Sequence, residues 1–150
     1  MKNLFEITGK VVVVTGATGI LAGGTAKYLQ QQGAKVVYVG RNQEKVDAVL
    51  EEGRKISDHC LGVTTDVLDE NGLTAGYEKV MNQFGRVDAL INGAGGNMPG
   101  ATIGPDKEIF DLDIEDYGRV MDLNLKGSVL PTLTFAKAFK EQGNGSVINF

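Results

Sequence analysis

A glycine-rich stretch near the beginning of the chain has the composition of a phosphate-binding turn. It follows a continuous run of valines, Lys10–Thr15, and precedes a segment with helical spacing. One glycine permits a sharp turn from strand to helix, and a second leaves room for a pyrophosphate beside the free N–H groups of the helix. The pattern alone fits an ordinary turn equally well, but its place between strand and helix favours a dinucleotide. The residues predicted to contact it are Gly16, Ala17, Thr18, Gly19, Ile20 and Leu21.

The end of the second predicted strand carries the residues that distinguish NAD from NADP. An acidic side chain there would bond the ribose 2′-hydroxyl of NAD, whereas an arginine suits the 2′-phosphate of NADP. Arg41 and Asn42 occupy this place, and no carboxylate occurs until Glu44. A solvated surface arginine would give the same pattern. We predict NADP as the cofactor, with NAD as the alternative.

Short apolar segments alternate with longer amphipathic ones along the whole chain. Such alternation predicts right-handed crossovers and an α/β fold with a doubly wound parallel sheet. The predicted strands are Lys10–Thr15, Lys35–Gly40, His59–Thr65, Val87–Asn92 and Gly145–Phe150. The predicted helices are Gly19–Gln32, one capped by Asn42, one from Asp69 or Asn71 to about Phe84, and one capped by Asp113 that runs to about Glu141 with a bend near Pro131.

The longest predicted loop, residues 93–112, follows the fourth strand. It is rich in glycine and contains Pro99 and Pro105. Loops of this length tend to be functional, and ligands of open α/β sheets bind at the carboxyl ends of the strands. We therefore expect Asn97 and Met98 to lie near the mouth of an active site.

Composition and charge exclude several classes of protein. The 150 residues suffice for one domain, and the net charge of −4 argues against a nucleic-acid partner, which needs a basic face. The sequence has neither the roughly 18 consecutive apolar residues of a membrane span nor the apolar core of a signal peptide, so we expect a cytoplasmic protein. A single cysteine, Cys60, excludes an internal disulfide and a thiolate-rich metal site.

Two groups of charged residues are predicted to have structural roles only. Four carboxylates lie within Asp111–Asp116, but acidic residues are favoured at a helix N-terminus, where Asp113 and Asp116 fit a capping box. We therefore predict no metal site. The basic residues of the second helix, Lys45 among them, alternate with acidic ones and are expected on a solvated face.

Four short motifs occur in an order that resembles the short-chain dehydrogenase/reductase family. They are TGATGILA at Thr15–Ala22, DV at Asp66 and Val67, NGAG at Asn92–Gly95, and DLNLKG at Asp122–Gly127. Each motif is weak alone, but the four together span essentially the whole chain. The resemblance implies a Rossmann fold and hydride transfer between NAD(P) and an alcohol or carbonyl of a small-molecule substrate. It also implies a homo-oligomer, either a dimer or a tetramer.

The same resemblance implies roles for individual residues. Asp66 and Val67 would flank the adenine ring. Asn124 would hold a water of the proton relay to the catalytic lysine, although an asparagine with a purely structural role would fit the same place. The turn that would stabilise the sheet and line the ribose and nicotinamide is formed by Asn92, Gly93, Ala94 and Gly95.

The spacing of the glycines is typical of particular subgroups of the family. Only Ala17 and Thr18 separate the first two glycines, whereas three residues do so in the commonest pattern, and Ala22 replaces the last glycine. Extended epimerase-like members share this spacing, but they would require a substantial further substrate domain. The stretches LINGAGGNMPGAT and FDLDIEDYGRVMDLNLKG are more similar to D-mannonate oxidoreductases, which reduce fructuronate, a sugar acid.

The family's proton donor, a tyrosine followed four residues later by a lysine, does not occur in this sequence. The four tyrosines, at 28, 38, 77 and 117, are followed at that spacing by Gln32, Asn42, Met81 and Met121. We therefore expect residues 1–150 to be the NAD(P)-binding domain of a longer enzyme, with a serine just past Phe150 and a Tyr-x-x-x-Lys helix after it. The alternative is a catalytically inactive dinucleotide-binding or redox-sensing module, which would need neither.

Overall fold

Five strands form one parallel sheet in the computed structural model, which describes residues 5–150. The strands are β1 (Val11–Thr15), β2 (Lys35–Gly40), β3 (Cys60–Thr64), β4 (Ala89–Asn92) and β5 (Ser146–Asn149). They lie in the order β3-β2-β1-β4-β5, and every pairing is parallel. The order reverses direction between β1 and β4, which is the place where open α/β sheets bind ligands. The predicted doubly wound α/β fold is confirmed.

Residues 5–150 contain five helices, of which α1, α2, α3 and α5 pack on the sheet, and three of the five begin at predicted capping residues. The helices are α1 (Ile20–Gln31), α2 (Gln43–Arg54), α3 (Glu70–Phe84), α4 (Ile114–Met121) and α5 (Gly127–Gln142). Asn42 caps α2, and Asp69 rather than Asn71 caps α3, each through a side-chain oxygen that accepts a backbone N–H. Asp113 caps α4 in the same way. None of the helices within residues 5–150 has the length and apolar composition to cross a membrane.

The two faces of the sheet have separate apolar cores, because the central strands are buried on both sides. Successive side chains of a strand point to opposite faces. Val11 and Val13 therefore belong to the core beneath α3 and α5, which includes Phe135. Val12 and Val14 belong to the other core, beneath α1 and α2. This two-sided burial explains why the strand reads as an unbroken run of valines rather than an alternating one.

The predicted long helix after Asp113 is interrupted by a π turn, Asp122–Lys126, that joins α4 to α5. A π turn contains one extra residue, so its backbone N–H groups reach back five residues instead of four. Asn124 Nδ2 donates to the Val120 carbonyl at 2.8 Å and so bonds a carbonyl of the turn with a side chain. The irregularity is thus centred on Asn124. Pro131, near which the sequence predicts a bend, lies further along, inside α5.

The loop that follows β4 contains two short 3-10 turns, Pro99–Ala101 and Ile109–Asp111. The loop also corrects the capping box predicted for α4. Asp113 accepts a hydrogen bond from the N–H of Asp116 as expected, but the Asp116 carboxylate does not return to the cap. It accepts instead from the N–H of Gly100, at 3.1 Å, because the loop brings this backbone donor against the first turn of α4.

Asp88 joins the amino-terminal ends of β1 and β4. Its buried carboxylate accepts hydrogen bonds from Val11 N at 2.9 Å, Lys10 Nζ at 3.2 Å, and Arg86 Nε and Nη2 at 2.9 and 2.5 Å. Burial acts to raise the pKa of Asp88, but these bonds outweigh it and hold the pKa below its ordinary value. The group is therefore a charged, fully bonded carboxylate that connects two neighbouring strands.

The outermost strand on the opposite side from β5 is β3, and a lysine of α3 reaches it. Lys79 Nζ donates to the Gly62 carbonyl of β3 at 2.9 Å. The groove at this place is lined by residues of α2, β3 and α3, among which Gly72 and Gly76 of α3 are small. The lysine stem lies along this groove and brings its ammonium group to the strand.

A buried polar contact between α1, β2 and the end of α2 gives a first test of the packing. Tyr38 Oη donates to Gln30 Oε1 at 2.6 Å, and Gln30 Nε2 donates to the Gly53 carbonyl at 2.9 Å. Burial, with a smaller contribution from Cys60, raises the pKa of Tyr38 to about 12, so the hydroxyl stays protonated and can donate.

We expect Tyr38→Phe to lower the free energy of unfolding by about 1–3 kcal/mol, since it leaves the buried Gln30 Oε1 without a donor. Urea unfolding followed by circular dichroism measures this. Tyr28→Phe, which removes the same hydroxyl from a side chain that is mostly exposed, is the control and should change stability by less than about 0.5 kcal/mol. Equal effects of the two substitutions would contradict the prediction.

Candidate functional site

A cleft of about 310 Å³ lies at the carboxyl ends of the strands, on both sides of the point where the strand order reverses. It is formed by the loops that follow β1, β2, β3 and β4, together with one residue of the π turn. Five separate parts of the sequence therefore meet in one concave surface. The lining residues are Gly16, Thr18, Gly19, Gly40, Arg41, Asn42, Lys45, Thr65, Asp66, Val67, Gly93, Ala94, Gly95 and Leu123.

The turn after β1 is held tightly against the turn after β4. Gly16 has φ +67°, and a Cβ at this position would lie 2.5 Å from the carbonyl oxygen of Gly93 and 2.7 Å from the N of Ala94. Thr15 Oγ1 accepts hydrogen bonds from the N–H groups of Gly93 and Ala94, both at 3.2 Å. Only glycine satisfies both the backbone angle and the space at position 16.

Close packing of α1 on the sheet requires small residues one turn further along. A Cβ on Gly23 would lie 2.7 Å from the Ala17 carbonyl oxygen, and Ala22 is the residue that a Cβ on Gly93 would meet, also at 2.7 Å. Ala22 and Gly23 thus let α1 approach the turns after β4 and β1 closely.

The N-terminus of α1 fits a phosphate group. Gly19 is its N-cap, and no side chain within residues 5–150 caps this end. The first turn also contains no acidic residue that would repel an anion. Free N–H groups and the positive end of the helix dipole therefore point into a cleft whose floor has no Cβ at positions 16 and 19.

Two cations lie where β2 ends and α2 begins. Arg41 and Lys45 are exposed, line the cleft, and form no ion pair with any carboxylate of residues 5–150. Asn42 orients this end of the helix by accepting a hydrogen bond from Lys45 N at 2.9 Å. Lys45 is solvent-exposed, as the sequence predicts, and it also lines the cleft together with Arg41.

The loop after β3 forms the wall between these cations and the π turn. Asp66 Oδ1 accepts from Leu68 N at 2.9 Å, which fixes the turn and leaves the carboxylate exposed. Val67 is buried, and a Cβ on Gly127 of α5 would lie 2.9 Å from its Cγ2. This packing ties the loop to the beginning of α5.

Asn124 binds the loop that leaves the cleft after Gly95. Its Nδ2 donates to the Gly96 carbonyl at 2.8 Å, and its Oδ1 accepts from Gly96 N at 3.3 Å. The neighbouring Leu123 lines the cleft. The side chain of Asn124 is therefore engaged by backbone, and its relation to a proton relay remains a prediction.

Most of the predicted site residues are brought together, and a few lie elsewhere. Ala17 is fully buried behind the turn, and Asn92 is buried among Ser128, Thr132 and Asn149, to which its Nδ2 lies within hydrogen-bonding distance. Ile20 and Leu21, in the first turn of α1, are largely exposed and do not line the cleft. The lining residues that the sequence analysis did not assign to the site are Gly40, Thr65, Leu123 and Lys45.

Lys45 carries the one signal among these that was readable from the sequence. It lies in the first turn of the helix capped by Asn42, four residues after Arg41. Gly40, Thr65 and Leu123 are adjacent to predicted site residues but have no distinguishing chemistry of their own.

Comparison with known proteins agrees with this geometry. The family model described as short chain dehydrogenase matches residues 10–150. The uncharacterized oxidoreductase UxuB of Bacillus subtilis (strain 168) is 34% identical over 152 residues, which cover 96% of this chain and 55% of that protein. The chain thus spans about half the length of the curated relatives it matches.

Two solved structures are similar over almost the whole chain. One is a proposed D-mannonate oxidoreductase from Haemophilus influenza with bound NAD, at a TM-score of 0.85 and 32% identity, covering 96% of this chain and 55% of that one. The other is an NAD⁺-bound xylitol dehydrogenase, at a TM-score of 0.86 and 25% identity, covering 96% and 53%.

Proposed function

This chain belongs to the short chain dehydrogenase family, and on that premise we propose that it binds a nicotinamide dinucleotide in the cleft as part of an oxidoreductase. The observation that carries the proposal is the cradle at the N-terminus of α1. Gly16 leaves no space for a side chain, Gly19 leaves the helix end uncapped, and the cleft continues from there past both Arg41 and Gly95.

The residues of the cleft suit the parts of an extended dinucleotide. The N–H groups after Gly19 would bind the pyrophosphate, and Asp66 with Val67 would border the adenine. The turn Gly93–Gly95 and Leu123 would border the nicotinamide end. A bound nicotinamide would supply or accept the hydride. The protein would orient the nicotinamide ring and exclude water from one of its faces.

For the choice of cofactor we propose NADP. Arg41 and Lys45 form a pair of cations at the end of β2, and a guanidinium with an ammonium provides the donors that a 2′-phosphate accepts. The related structures named above contain NAD, so NAD remains the alternative.

We expect the double variant Arg41→Ala/Lys45→Ala to weaken NADPH binding about tenfold or more while NADH binding changes less than about twofold. The loss is selective because only NADPH carries the 2′-phosphate. Titration of cofactor fluorescence in the full-length protein measures both dissociation constants. Arg54→Ala/Lys55→Ala, at the other end of α2, removes the same charge and is the control. An equal loss for both cofactors would contradict the NADP proposal and leave dinucleotide binding in place.

We further propose a small polar substrate, a sugar acid such as D-mannonate or fructuronate. The D-mannonate oxidoreductase named above supports this, as do the motifs around Asn97 and Asn124. Oxidation of D-mannonate, followed by the absorbance of NAD(P)H at 340 nm, tests it against a panel of polyols and other sugar acids. The tyrosine and lysine that would transfer the proton are proposed to follow Phe150.

A catalytically inactive dinucleotide-binding module is the second candidate, because none of the four tyrosines in this chain is followed by a lysine at the family's spacing. It predicts cofactor binding without turnover of any substrate in the panel. Absence of binding of either cofactor would contradict both candidates. We also propose a cytoplasmic homo-oligomer, and light scattering of the purified protein would give its mass.

A further inference from the structure

The loop after the cleft is fixed to α4 at Gly100. Its N–H donates to Asp116 Oδ2 at 3.1 Å, and its carbonyl accepts from Asp113 N at 2.9 Å. A Cβ on Gly100 would lie 2.5 Å from Asp116 Oδ2, so the contact leaves no space for a side chain. Arg119 Nη1 donates to the other oxygen, Asp116 Oδ1, at 2.9 Å and thereby orients the carboxylate.

The same loop is fixed a second time at Gly96, by the two hydrogen bonds with Asn124. The segment Gly96–Gly100 is therefore held at both ends, by Asn124 at Gly96 and by Asp116 at Gly100.

This segment lies at the edge of the cleft. It begins directly after Gly95, and both Gly95 and Leu123, the neighbour of Asn124, line the cleft. Asn97 is itself fixed, since its Nδ2 donates to Thr102 Oγ1 at 2.8 Å and its Oδ1 accepts from Met98 N at 2.9 Å. Asn97 is exposed and Met98 half-buried.

We propose that Asp116 is a positioning residue for substrate specificity: by anchoring Gly100 it holds Asn97 and Met98 as a fixed wall of the substrate site. This inference rests on the proposed function, because it takes the open end of the cofactor cleft as the place of the substrate. Asp116 acts through the backbone of the loop. It lies outside the cofactor-lining set, so loss of its carboxylate should move the wall and spare the dinucleotide.

The test compares Asp116→Ala with Glu115→Ala in the full-length protein. Glu115 is the adjacent carboxylate on the same turn, is largely exposed, and lies 3.8 Å from Arg119, so its loss changes the charge without touching the loop. Amide hydrogen exchange of residues 96–104, measured by mass spectrometry with and without NADPH, reports whether Asp116 still holds the loop. The dissociation constant of NADPH reports on the cofactor cleft. The values of kcat and KM, measured with the sugar acid that the wild type oxidises fastest, report on the substrate site.

We expect Asp116→Ala to accelerate exchange at the loop about tenfold or more, because its amides lose their fixed partner. We expect KM for the substrate to rise about tenfold while kcat and the dissociation constant of NADPH change less than about threefold. Glu115→Ala should match the wild type. Asp116→Asn keeps one acceptor for Gly100 and should fall between them.

Unchanged loop exchange in Asp116→Ala, or an equal change in Glu115→Ala, would overturn the proposal whether or not a substrate is found. A loss of NADPH affinity equal to the rise in KM would also overturn it, since the effect would then be on the cofactor cleft. Failure of NADPH and NADH to bind the wild type is a different result. It would contradict the proposed function, and the exchange measurement would still decide the role of Asp116 in the loop.

Discussion

Gly16→Ala is expected to abolish binding of both NADPH and NADH and to lower the free energy of unfolding by more than about 3 kcal/mol. Two costs combine at this position. The backbone angle φ of +67° disfavours any residue with a Cβ, and the added methyl group would lie within 2.7 Å of three backbone atoms of the Gly93–Ala94 turn. To make room, the turns after β1 and β4 must separate at the centre of the cleft.

The control for this substitution is Gly85→Ala. Gly85 ends α3 with a nearly identical φ of +70°, but nothing lies within 4 Å of the place its Cβ would take. The control therefore isolates the cost of the backbone angle, about 1–2 kcal/mol. Urea unfolding and cofactor titration of both variants give the comparison. If Gly16→Ala lost no more stability than Gly85→Ala, or still bound cofactor, the tight contact of the two turns would be refuted.

Asp88→Ala is expected to cost about 2–4 kcal/mol of unfolding free energy at pH 7, with little direct effect on the cleft at the other end of the sheet. The substitution removes every acceptor of a buried carboxylate. It leaves the N–H of Val11 without its side-chain partner and brings Lys10 and Arg86 together without a counter-charge. Asp106→Ala, which removes an exposed aspartate of the long loop, should stay within about 0.5 kcal/mol of the wild type.

The same residue predicts how stability depends on pH. The pKa of Asp88 is lowered in the folded state, so its carboxylate contributes fully above the unfolded pKa of about 3.9. That contribution is lost as the pH falls through the lower folded value. We therefore expect wild-type stability to decline more steeply below about pH 4 than that of Asp88→Ala. If the urea concentrations at half-unfolding changed equally with pH in the two proteins across pH 2–5, the pH dependence would not come from Asp88.

Local chemistry made much of the fold predictable from the sequence. The buried valines of β1, the capping residues Asn42 and Asp113, and the glycine after α3 act within a few residues of themselves. Their effects on backbone geometry do not depend on the rest of the chain. The parallel, doubly wound sheet followed from the alternation of strands and helices and from the fixed handedness of their connections.

Features that depend on contacts between distant residues were not predictable in the same way. The π turn arises where Asn124 must reach both Val120 and Gly96, and no local propensity marks it. Asp116 has the signature of a capping box, but a backbone N–H from the loop competes successfully for its carboxylate. In each case the deciding partner is remote in sequence.

The contact between Lys79 and the carbonyl of Gly62 has a consequence for how molecules of this protein behave toward one another. An outermost strand offers unpaired backbone groups to which a strand of another molecule can add, and continued addition leads to fibrils. A positively charged ammonium placed on β3 makes that addition costly, since an incoming strand would have to displace the lysine from the carbonyl it binds. The sheet thus carries its own barrier to growth along this border, built from one side chain of a helix.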